Sequence, residues 1–376
     1  MSSIGASSHL SGQEKLPCPD KADRPAEERA EAKRAKQGPQ PMPDRFALMT
    51  PQGPATVNIQ KLIGQGSFGQ VYAVSIQKDG DPAIRHLALK VAKVDEDSSR
   101  NARVNAVIER EIGILRKWTQ INPDNTIPLA RLIVGPLNMN SDRICFLQEL
   151  YNCNLYDLIS HHPTGLPLPH VKIFTAQMVP GLEALSQAGM THSDIKPENI
   201  LYHQRRNRFC ITDADCCAEG GEQANERKLC VGTLYYRAPE IAYGLPYGPQ
   251  ADIWSFGCTL FEVLTGQVLL LATGPSNLQT MFTSLLGPAP TEFIIQADAS
   301  SPASGSVDEP RDAFFEKQIE SRLSKSDEHT LVDLANFKNL LNNLLRWERR
   351  ERLTPIQIKE HPSLARIDWQ TLSLSE

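Results

Sequence analysis

The periodicity of the apolar residues changes once along this chain, and that change limits the folds available to it. From Val57 to about residue 149, strand-like segments are separated by loops of hairpin size; their sequences are VNIQKLIG, QVYAVSI, LALKVAKV and ICFLQEL. Beyond them, the clearest helical patterns are VKIFTAQMVPGLEALSQ, IWSFGCTLFEVLTG and LVDLANFKNLLNNLLRW. Strands first and helices later predict an α+β fold with two unequal lobes.

The flanks of this region differ from it in composition. Residues 1–56 contain eight of the 27 prolines and a single aromatic residue, so they offer little apolar surface to offset chain entropy. We therefore predict a disordered tail over 1–56 and a folded domain over 57–364. The domain divides into an N-terminal lobe (57–148), a hinge (149–154) and a C-terminal lobe (155–364). A stretch rich in serine and proline near 299–310 predicts a flexible insertion around 295–329, and 365–376 is a second tail.

Charge and composition disfavour several classes of protein. The formal net charge is −5 without a large basic field, which argues against nucleic acid as a partner. No apolar run approaches the ~20 residues that cross a bilayer, and the opening MSSIGASSHL lacks the apolar core of a signal peptide. The eight cysteines lack regular short spacing and indicate reduced thiols. We expect an intracellular protein, cytoplasmic or nuclear, without membrane partners. The basic cluster Lys33, Arg34 and Lys36 is interpreted as a solvated charge run, with a nuclear address as the alternative.

Three glycines lie between the first two predicted strands. Gly64, Gly66 and Gly69 have GxGxxG spacing in the sequence GQGSFGQV. Dinucleotide-binding folds use this spacing where a strand turns into a helix, but here VYAVSI continues the strand alternation. A glycine-rich hairpin between strands lets backbone N–H groups approach phosphate oxygens, as in protein kinases. A merely flexible hairpin is the alternative.

A lysine interrupts an otherwise apolar strand in the segment ALKV. The ammonium group of Lys90 needs an anion or a route to water. Glu111 can supply the anion, because it lies between Ile108 and Leu115 on a helical seam that also includes Trp118. In a kinase-like site, such a carboxylate holds the lysine at the α- and β-phosphates of ATP. An exposed lysine that snorkels beside a surface helix is the alternative.

The segment HSDIKPENIL, residues 192–201, matches the catalytic-loop pattern of phosphoryl transfer at its functional positions. In that pattern Asp194 accepts the proton of the substrate hydroxyl group, and Lys196 neutralises charge on the γ-phosphoryl group. A strand, a turn and a second strand then lead to Asp213. Asn199 and Asp213 supply the hard oxygen ligands that Mg²⁺ prefers. An array of this length is not expected by chance.

Two further segments complete the order of motifs seen in eukaryotic protein kinases; they are GTLYYRAPE (232–240) and DIWSFGC (252–258). The chain from about 58 to 364 resembles a protein kinase domain, and these segments are most similar to the CMGC group, which includes cyclin-dependent and dual-specificity tyrosine-regulated kinases. The resemblance implies a bilobal α+β fold, ATP and Mg²⁺ as cofactors, and protein substrates. It favours serine/threonine transfer, leaves dual specificity open, and is compatible with a regulatory protein partner.

The resemblance also assigns roles to individual residues. The implied catalytic residues are Lys90, Glu111, Asp194 and Lys196, and the implied metal ligands are Asn199 and Asp213. The implied nucleotide-binding residues are Ile63, Gly64, Gly66, Gly69, Val71, Ala88, Lys90, Glu149, Tyr151 and Leu201. Gln148 is the implied gatekeeper, and Asp252 is implied to anchor the backbone of the catalytic loop. Glu240 is implied to pair with Arg352 and to brace the C-terminal lobe.

Three departures from the family pattern carry their own expectations. Ser193 replaces the arginine that usually binds a phosphorylated activation loop, and 214–232 contains no Ser, Thr or Tyr, so we expect no activating phosphorylation there. Ala214 replaces a phenylalanine that normally packs under the helix near Leu115. We therefore expect weaker support for that helix, and stabilisation by Ala214→Phe. Asp215, in the same altered segment, replaces a glycine and adds charge near the phosphates, where it could join the metal ligands or weaken ATP binding. In the third departure, Gly232 replaces a bulkier residue of proline-directed relatives, which argues against a preference for proline after the acceptor.

Two alternatives to an active kinase follow from the same sequence. A pseudokinase scaffold, which binds nucleotide or partner proteins without useful turnover, is supported by the altered segment 213–215. A small-molecule phosphotransferase is a third hypothesis, and the RAPE segment argues against it. The cysteines between 210 and 230 are interpreted as buried or redox-sensitive thiols, with a zinc site as the alternative although no CxxC pair is present.

Overall fold

The computed structural model of the protein describes residues 15–16, 42–93, 98–139, 143–220, 231–297, 315, 328–365 and 367. The N-terminal lobe is built on a six-stranded antiparallel sheet with the spatial order β1-β2-β3-β4-β6-β5. Its strands are β1 (Arg45–Thr50), β2 (Gly53–Gln65), β3 (Gly69–Lys78), β4 (Ile84–Ala92), β5 (Leu132–Met139) and β6 (Arg143–Glu149). The loops of hairpin size predicted between the first strands are confirmed, because β2, β3 and β4 pair antiparallel in sequence order.

The first strand lies inside the region for which the sequence predicted disorder. β1 pairs with the start of β2 in a tight hairpin, in which Leu48 is opposite Ala55. Leu48, Ala55 and Val57 are buried in one hydrophobic cluster of the sheet. The prediction of a disordered tail is therefore wrong for residues 42–56, because apolar residues that alternate toward a buried face can pair with the next strand despite the nearby prolines.

A second short piece of the predicted tail is also ordered. Lys15 Nζ donates a hydrogen bond of 2.6 Å to the carbonyl oxygen of Arg205, 190 residues away. The neighbouring Leu16 side chain, with 3% of its surface exposed, belongs to the main hydrophobic cluster. Composition could not predict this contact, because it depends on a surface that exists only in the fold. The rest of the predicted tail before residue 42 lies outside the described residues.

A long helix, α1 (Ser98–Ile121), follows β4 and packs against β5 and β6. Ile108, Leu115 and Trp118 are fully buried, which confirms the predicted apolar seam. Glu111 lies on the same seam with 1% of its surface exposed, so its carboxylate is enclosed. A carboxylate in such a place requires a cationic partner.

The C-terminal lobe is mainly helical, as the sequence predicts. Its helices are α2 (Leu155–Ser160), α3 (Leu168–Gln187), α4 (Pro239–Ala242), α5 (Pro249–Thr265), α6 (Pro275–Leu286), α7 (Thr291–Gln296), α8 (Glu328–Leu344) and α9 (Pro355–Lys359). Its short strands are β7 (Cys153–Asn154), β8 (Met190–Thr191), β9 (Ile200–His203), β10 (Arg208–Ile211) and β11 (Ala218–Glu219), paired as β10-β9-β7 and β11-β8. Over the described ranges, no helix combines the length and the apolar character that a membrane crossing requires.

Helix α5 forms the centre of this lobe, and every residue from Ala251 to Thr265 is buried. It packs against α3 and α8. After α8, Arg352 donates one hydrogen bond to each carboxylate oxygen of Glu240, both at 2.7 Å. Its guanidinium carbon also lies 5.3 Å from the ring centroid of Trp254 on α5. The ion pair between Glu240 and Arg352 that the resemblance implied is confirmed, and it joins α4 and α5 to the segment between α8 and α9.

The predicted insertion and C-terminal tail are only partly described. Helix α7 runs to Gln296 and α8 begins at Glu328, so both edges of the predicted insertion are helical. Phe315 is fully buried, and its ring centroid lies 5.9 Å from that of Phe261. Ile367, in the predicted tail, packs against the main hydrophobic cluster. The predictions are wrong at these positions because isolated apolar side chains find buried sites on the lobe; the other residues of both segments lie outside the described part of the chain.

Candidate active site

The catalytic-loop segment connects β8 to β9 and is held by the first turn of α5. The carboxylate of Asp252 accepts hydrogen bonds from the backbone N–H groups of His192 and Ser193, at 2.7 and 2.9 Å. Ser193 has a φ of +68°, a left-handed conformation that non-glycine residues adopt where surrounding contacts impose it. Burial raises the pKa of Asp252 to about 6, although the backbone N–H donors of His192 and Ser193 oppose the shift. The geometry matches the anchoring role that the resemblance implied.

Asp194 lies at the centre of a hydrogen-bonded cluster. Its Oδ2 atom lies 2.8 Å from Lys196 Nζ and accepts a hydrogen bond of 3.0 Å from Asn199 Nδ2. Its Oδ1 atom accepts hydrogen bonds of 2.8 Å from both the backbone N–H and the hydroxyl group of Thr233. Burial alone would lower the pKa of Lys196, but the Asp194 carboxylate outweighs burial and raises it, so the lysine stays charged. Three of the predicted site residues therefore meet at one place.

Lys90 links the two lobes through an ion-pair network. Its Nζ atom lies 2.7 Å from Glu111 Oε1 on α1 and 2.7 Å from Asp213 Oδ1, which follows β10. Burial alone would lower the pKa of Lys90, but the two carboxylates outweigh it and raise the pKa above its usual range. Lys90 likewise lowers the pKa of Asp213 against the effect of burial. At Glu111 burial dominates and raises the pKa to about 7. The predicted ion pair between Lys90 and Glu111 is present, and Asp213 is a second carboxylate partner of Lys90.

The glycine-rich segment forms the turn between β2 and β3. Gly64 pairs with Val71, and the backbone N–H of Gly66 donates to the carbonyl oxygen of Gly69 at 2.9 Å. A hairpin, rather than a strand-to-helix turn, is therefore present. Gly69 is buried close to the lysine: a Cβ atom at this glycine would lie 3.5 Å from two carbon atoms of the Lys90 side chain. The hairpin thus lies beside the side chain of Lys90.

The apolar nucleotide-binding candidates lie on the strands around this hairpin. Ile63 and Val71 are half-buried on β2 and β3, Ala88 is buried on β4, and Leu201 is half-buried on β9. Ala88 pairs with Gln148 of β6 in the register of the sheet. The buried amide nitrogen of Gln148 makes no hydrogen bond to the described residues, so the implied gatekeeper offers a donor at this place.

The hinge is tied to the C-terminal lobe through its side chains. Glu149 forms an ion pair with Arg206, in the turn between β9 and β10. The Tyr151 hydroxyl group donates to Glu149 Oε2 at 3.3 Å, and its ring packs edge-on against His203 with a centroid distance of 5.9 Å. Glu149 thus contacts this turn, Tyr151 contacts the end of β9, and the backbone groups of the hinge are the candidate contacts for adenine.

Two oxygen atoms in the site fit a magnesium ion. Asn199 donates to Asp194 through Nδ2, and Asp213 accepts from Lys90 through Oδ1. Asn199 Oδ1 and Asp213 Oδ2 form no hydrogen bond with the residues that the structure describes. Mg²⁺ typically takes one or two protein oxygens together with phosphate oxygens. The donor set therefore fits the ion that the resemblance implied.

The cysteines near the site show no metal cluster. Within the described ranges, no group of three or more His, Cys, Asp or Glu residues could hold a metal ion. Cys210 and Cys217 are buried thiols, as interpreted from the sequence, whereas Cys216 is half-buried. Burial, with a contribution from Asp215, raises the pKa of Cys216 to about 12, so this thiol is protonated at neutral pH. Cys230 lies outside the described residues.

The segment after Asp213 differs from the family pattern in the way the sequence indicates. Asp213 has a φ of +66°, and a 3₁₀ turn over 214–216 follows it. Ala214 is fully buried in the main hydrophobic cluster. Asp215 is half-buried, and burial together with the charge of Asp213 raises its pKa. This second carboxylate therefore lies in an environment that opposes its ionisation.

Helix α1 is linked to the segment after Asp213 by two polar contacts. Arg110 Nη2 donates a hydrogen bond of 2.6 Å to the carbonyl oxygen of Cys217. Lys117 forms an ion pair with Glu219 of β11. Both contacts join unmodified groups of the protein, so neither requires a phosphorylated residue. Residues 221–230, on which the expectation about activating phosphorylation also falls, lie outside the described residues.

Sequence reasoning missed two features of the segment that begins at Gly232. The motifs assign no role to Thr233, yet its backbone N–H and its hydroxyl group both donate hydrogen bonds to Asp194; its place three residues before the YRAPE sequence is the available signal. Gly232 has a φ of +74°, and a Cβ atom there would lie 2.2 Å from the carbonyl oxygen of Ser193. Arg237 Nη2 donates to the Gly232 carbonyl oxygen at 2.8 Å. The glycine is therefore required by the backbone and does not simply lack bulk.

Comparisons with known proteins indicate the family and its relatives. The family model described as protein kinase domain matches residues 57–364. The chain is 29% identical over 306 residues to serine/threonine-protein kinase ppk5 and 27% identical over 312 residues to DYRK-family kinase pom1, both from Schizosaccharomyces pombe. It is 28% identical over 330 residues to dual specificity tyrosine-phosphorylation-regulated kinase 3 of Homo sapiens. The three matches cover 80%, 80% and 82% of this chain but only 34%, 27% and 53% of the relatives, so the chain spans about a quarter to half of their length. The predicted similarity to the CMGC group is confirmed.

Proposed function

Because the chain belongs to the protein kinase domain family, we propose that it transfers the γ-phosphoryl group of ATP to serine and threonine hydroxyl groups of protein substrates. The observation that carries this proposal is the Lys90 ammonium group, held at 2.7 Å from both Glu111 and Asp213. These two ion pairs join α1 of the N-terminal lobe to Asp213, the candidate metal ligand of the C-terminal lobe. Phosphoryl transfer requires this kind of positioning and charge neutralisation more than covalent chemistry by the protein.

In the proposed reaction, Asp194 accepts the proton of the attacking hydroxyl group. Its Oδ1 atom is fixed by Thr233, and its Oδ2 atom is fixed by Lys196 and Asn199, so the carboxylate has one orientation. The charged Lys196 lies beside this base, where it can neutralise charge on the transferred phosphoryl group. The geometry supports general-base assistance by Asp194 together with electrostatic stabilisation by Lys196.

ATP is proposed to bind between the two lobes. The glycine-rich hairpin covers its phosphates with backbone N–H groups, and Lys90 contacts the α- and β-phosphates. Ala88 and Leu201 enclose the adenine ring, and the backbone at Glu149 and Tyr151 binds its edge. Asn199 and Asp213 would hold Mg²⁺, which would supply charge neutralisation at the phosphate oxygens.

Protein substrates with serine or threonine acceptors fit this site best. Lys196 follows the base by two residues, which is the serine/threonine pattern. The names of two of the relatives specify serine/threonine and dual specificity kinases. Dual specificity is therefore part of the proposal, and an assay should include tyrosine acceptors beside serine and threonine.

Transfer of labelled phosphate tests the proposal directly. Purified wild-type protein, with Mg²⁺ and radiolabelled ATP, should phosphorylate a generic protein that contains serine and threonine, and Asp194→Asn should abolish the transfer. Asp333→Asn is the matched control, because Asp333 pairs with Lys172 away from the site. This control should retain wild-type transfer.

A pseudokinase scaffold is the second candidate function, and Asp215 is the observation that favours it. Its carboxyl group lies in an environment where burial and Asp213 oppose ionisation, close to the place proposed for the phosphates. Well-folded wild-type protein that binds nucleotide but transfers no phosphate would support the scaffold. In that case Asp215→Gly should strengthen nucleotide binding, because it removes a carboxyl group from the phosphate region.

A further inference from the structure

Trp118 on α1 stacks on the imidazole ring of His192 in the catalytic loop. The ring centroids are 5.7 Å apart, and the ring planes are inclined by 28°. Both side chains are fully buried. The indole N–H of Trp118 makes no hydrogen bond to any described residue, so the contact depends on the apolar surface and the shape of the ring.

The imidazole of His192 is hydrogen-bonded to the backbone beside Asp194 and beside Asp213. Its Nε2 atom donates a hydrogen bond of 2.9 Å to the carbonyl oxygen of Thr212, the residue before Asp213. Its Nδ1 atom accepts a hydrogen bond of 3.3 Å from the backbone N–H of Asp194. A neutral imidazole with its proton on Nε2 satisfies both contacts. A change in the packing of His192 therefore acts on the backbone near Asp194 and near Asp213 at once.

The apolar ring expected directly after Asp213 is missing from this region. Ala214 stands where the resemblance implies a phenylalanine that packs under the helix near Leu115. Ala214, Leu115 and Trp118 are nevertheless all fully buried in the same hydrophobic cluster, and α1 packs against the turn over 214–216. Helix α1 therefore keeps its packing against this turn, and the aromatic ring of Trp118, on the same helix, lies on His192 of the catalytic loop.

We propose that the indole of Trp118 replaces the phenyl ring that Ala214 lacks, and that Trp118 is a positioning residue for Asp194 and Asp213. Protein interiors are close-packed, and an unfilled volume the size of a phenyl ring costs stability. A larger ring on the facing helix fills such a volume and also fixes α1 against His192. The sequence-based expectation that Ala214 leaves the helix poorly supported takes no account of this ring. The positioning role rests on the proposed kinase function, whereas the packing does not.

A double-mutant cycle between Trp118 and Ala214, in the whole chain, tests the packing. Trp118→Ala should lower the Tm by ~5 °C or more, because it opens a cavity beneath α1. Ala214→Phe alone should also lower the Tm, because two rings then compete for one volume. The double variant should regain at least half of the Tm that Trp118→Ala loses. Losses that simply add in the double variant would overturn the proposal.

Two further variants keep the cycle decisive. Phe282→Ala is the matched control, because Phe282 is a fully buried aromatic residue that packs against Trp254 and Trp347 in the C-terminal lobe. Ala214→Phe should not rescue that variant, and a rescue there would count against a specific exchange of rings. If Trp118→Ala does not fold, Trp118→Leu takes its place in the same cycle.

The positioning role has a readout that a purely structural role would not move. At a temperature well below every Tm, Trp118→Ala should lower kcat at least tenfold with a smaller change in the KM for ATP. The double variant of Trp118→Ala and Ala214→Phe should regain part of the lost kcat. An unchanged kcat in folded Trp118→Ala would reduce Trp118 to a stabilising residue. If wild-type protein transfers no phosphate, the Tm cycle still decides the packing proposal, so its failure and that of the proposed function are distinguishable.

Discussion

Gly232 and Ser193 approach each other so closely that a Cβ atom on the glycine would lie 2.2 Å from the serine carbonyl oxygen. Both residues have left-handed backbone conformations, with φ of +74° and +68°. Asp194 follows Ser193, and Thr233, which bonds to Asp194, follows Gly232. The contact therefore sets the distance between the catalytic loop and the segment that carries Thr233.

Gly232→Ala should reduce phosphate transfer at least tenfold and lower the Tm. The added methyl group cannot fit unless the backbone moves, and the positive φ adds strain of about 1–3 kcal/mol. Gly113→Ala on α1 is the matched control, because nothing lies within 4 Å of a Cβ atom there. It should leave the Tm unchanged or raise it, since alanine favours the helix by about 1 kcal/mol. Equal Tm values for the two alanine variants would contradict this account.

The stability of the C-terminal lobe should depend on pH through Glu262. Burial raises the pKa of Glu262 to about 7, although Tyr236, which donates a hydrogen bond of 2.6 Å, lowers it. Between the ordinary pKa of about 4.5 and pH 7, the folded protein then holds a proton that the unfolded chain has released. The free energy of unfolding should therefore fall as the pH rises through this window, by at most about 3 kcal/mol.

Urea unfolding of wild type and Glu262→Gln at several values between pH 5 and pH 8 measures this effect. The glutamine cannot titrate, so the variant should lose part of the decrease in stability with pH. Identical pH profiles for the two proteins would show that Glu262 does not titrate in this range.

Arg352→Met should destabilise the protein strongly. It leaves the carboxylate of Glu240 buried without its cation, and the removal of one partner of a buried pair costs about 3–5 kcal/mol. Lys172→Met, which breaks the partly exposed pair with Asp333, should cost less than about 1 kcal/mol. Chemical denaturation measures the free energy of unfolding that each variant loses. Similar losses for the two variants would contradict the claim that the buried pair contributes more than the partly exposed one.

Leu16→Ala should expose the peptide bond after Lys15 to trypsin. In the folded protein Leu16 is buried and Lys15 bonds to Arg205, so this bond should be cleaved more slowly than in a free peptide of residues 9–22. Leu16→Met should retain the protection, because it conserves volume and apolar character. Mass spectrometry of a limited digest gives the rates, and cleavage of wild type as fast as the free peptide would rule out the contact.

Activity should not require phosphorylation of residues 214–232. The segment has no hydroxyl side chain, and Arg110 and Lys117 of α1 already contact it through Cys217 and Glu219. Treatment of active protein with a broad-specificity phosphatase should leave the transfer rate unchanged, and mass spectrometry should find no phosphate in this segment. A loss of activity that accompanies loss of phosphate from it would disprove the expectation.

The sequence by itself determined the order of strands and helices and most of the site. The alternation around Lys90, the seam that carries Glu111 and the spacing from Asp194 to Asp213 are local patterns, so they could be interpreted without coordinates. The structure brings these four residues together with Lys196 and Asn199 as that interpretation requires.

The tertiary structure decided what depends on contacts between distant segments. Leu16 is buried in the main hydrophobic cluster, next to Lys15, which bonds to Arg205. Thr233 takes part in the site because its hydroxyl group lies 2.8 Å from Asp194. Trp118 of α1 stacks on His192 of the catalytic loop, and the role proposed for its ring beside Ala214 depends on this contact between distant segments. Residue patterns record the environment of a few neighbours in sequence, whereas packing and buried polar contacts depend on groups that only folding brings together.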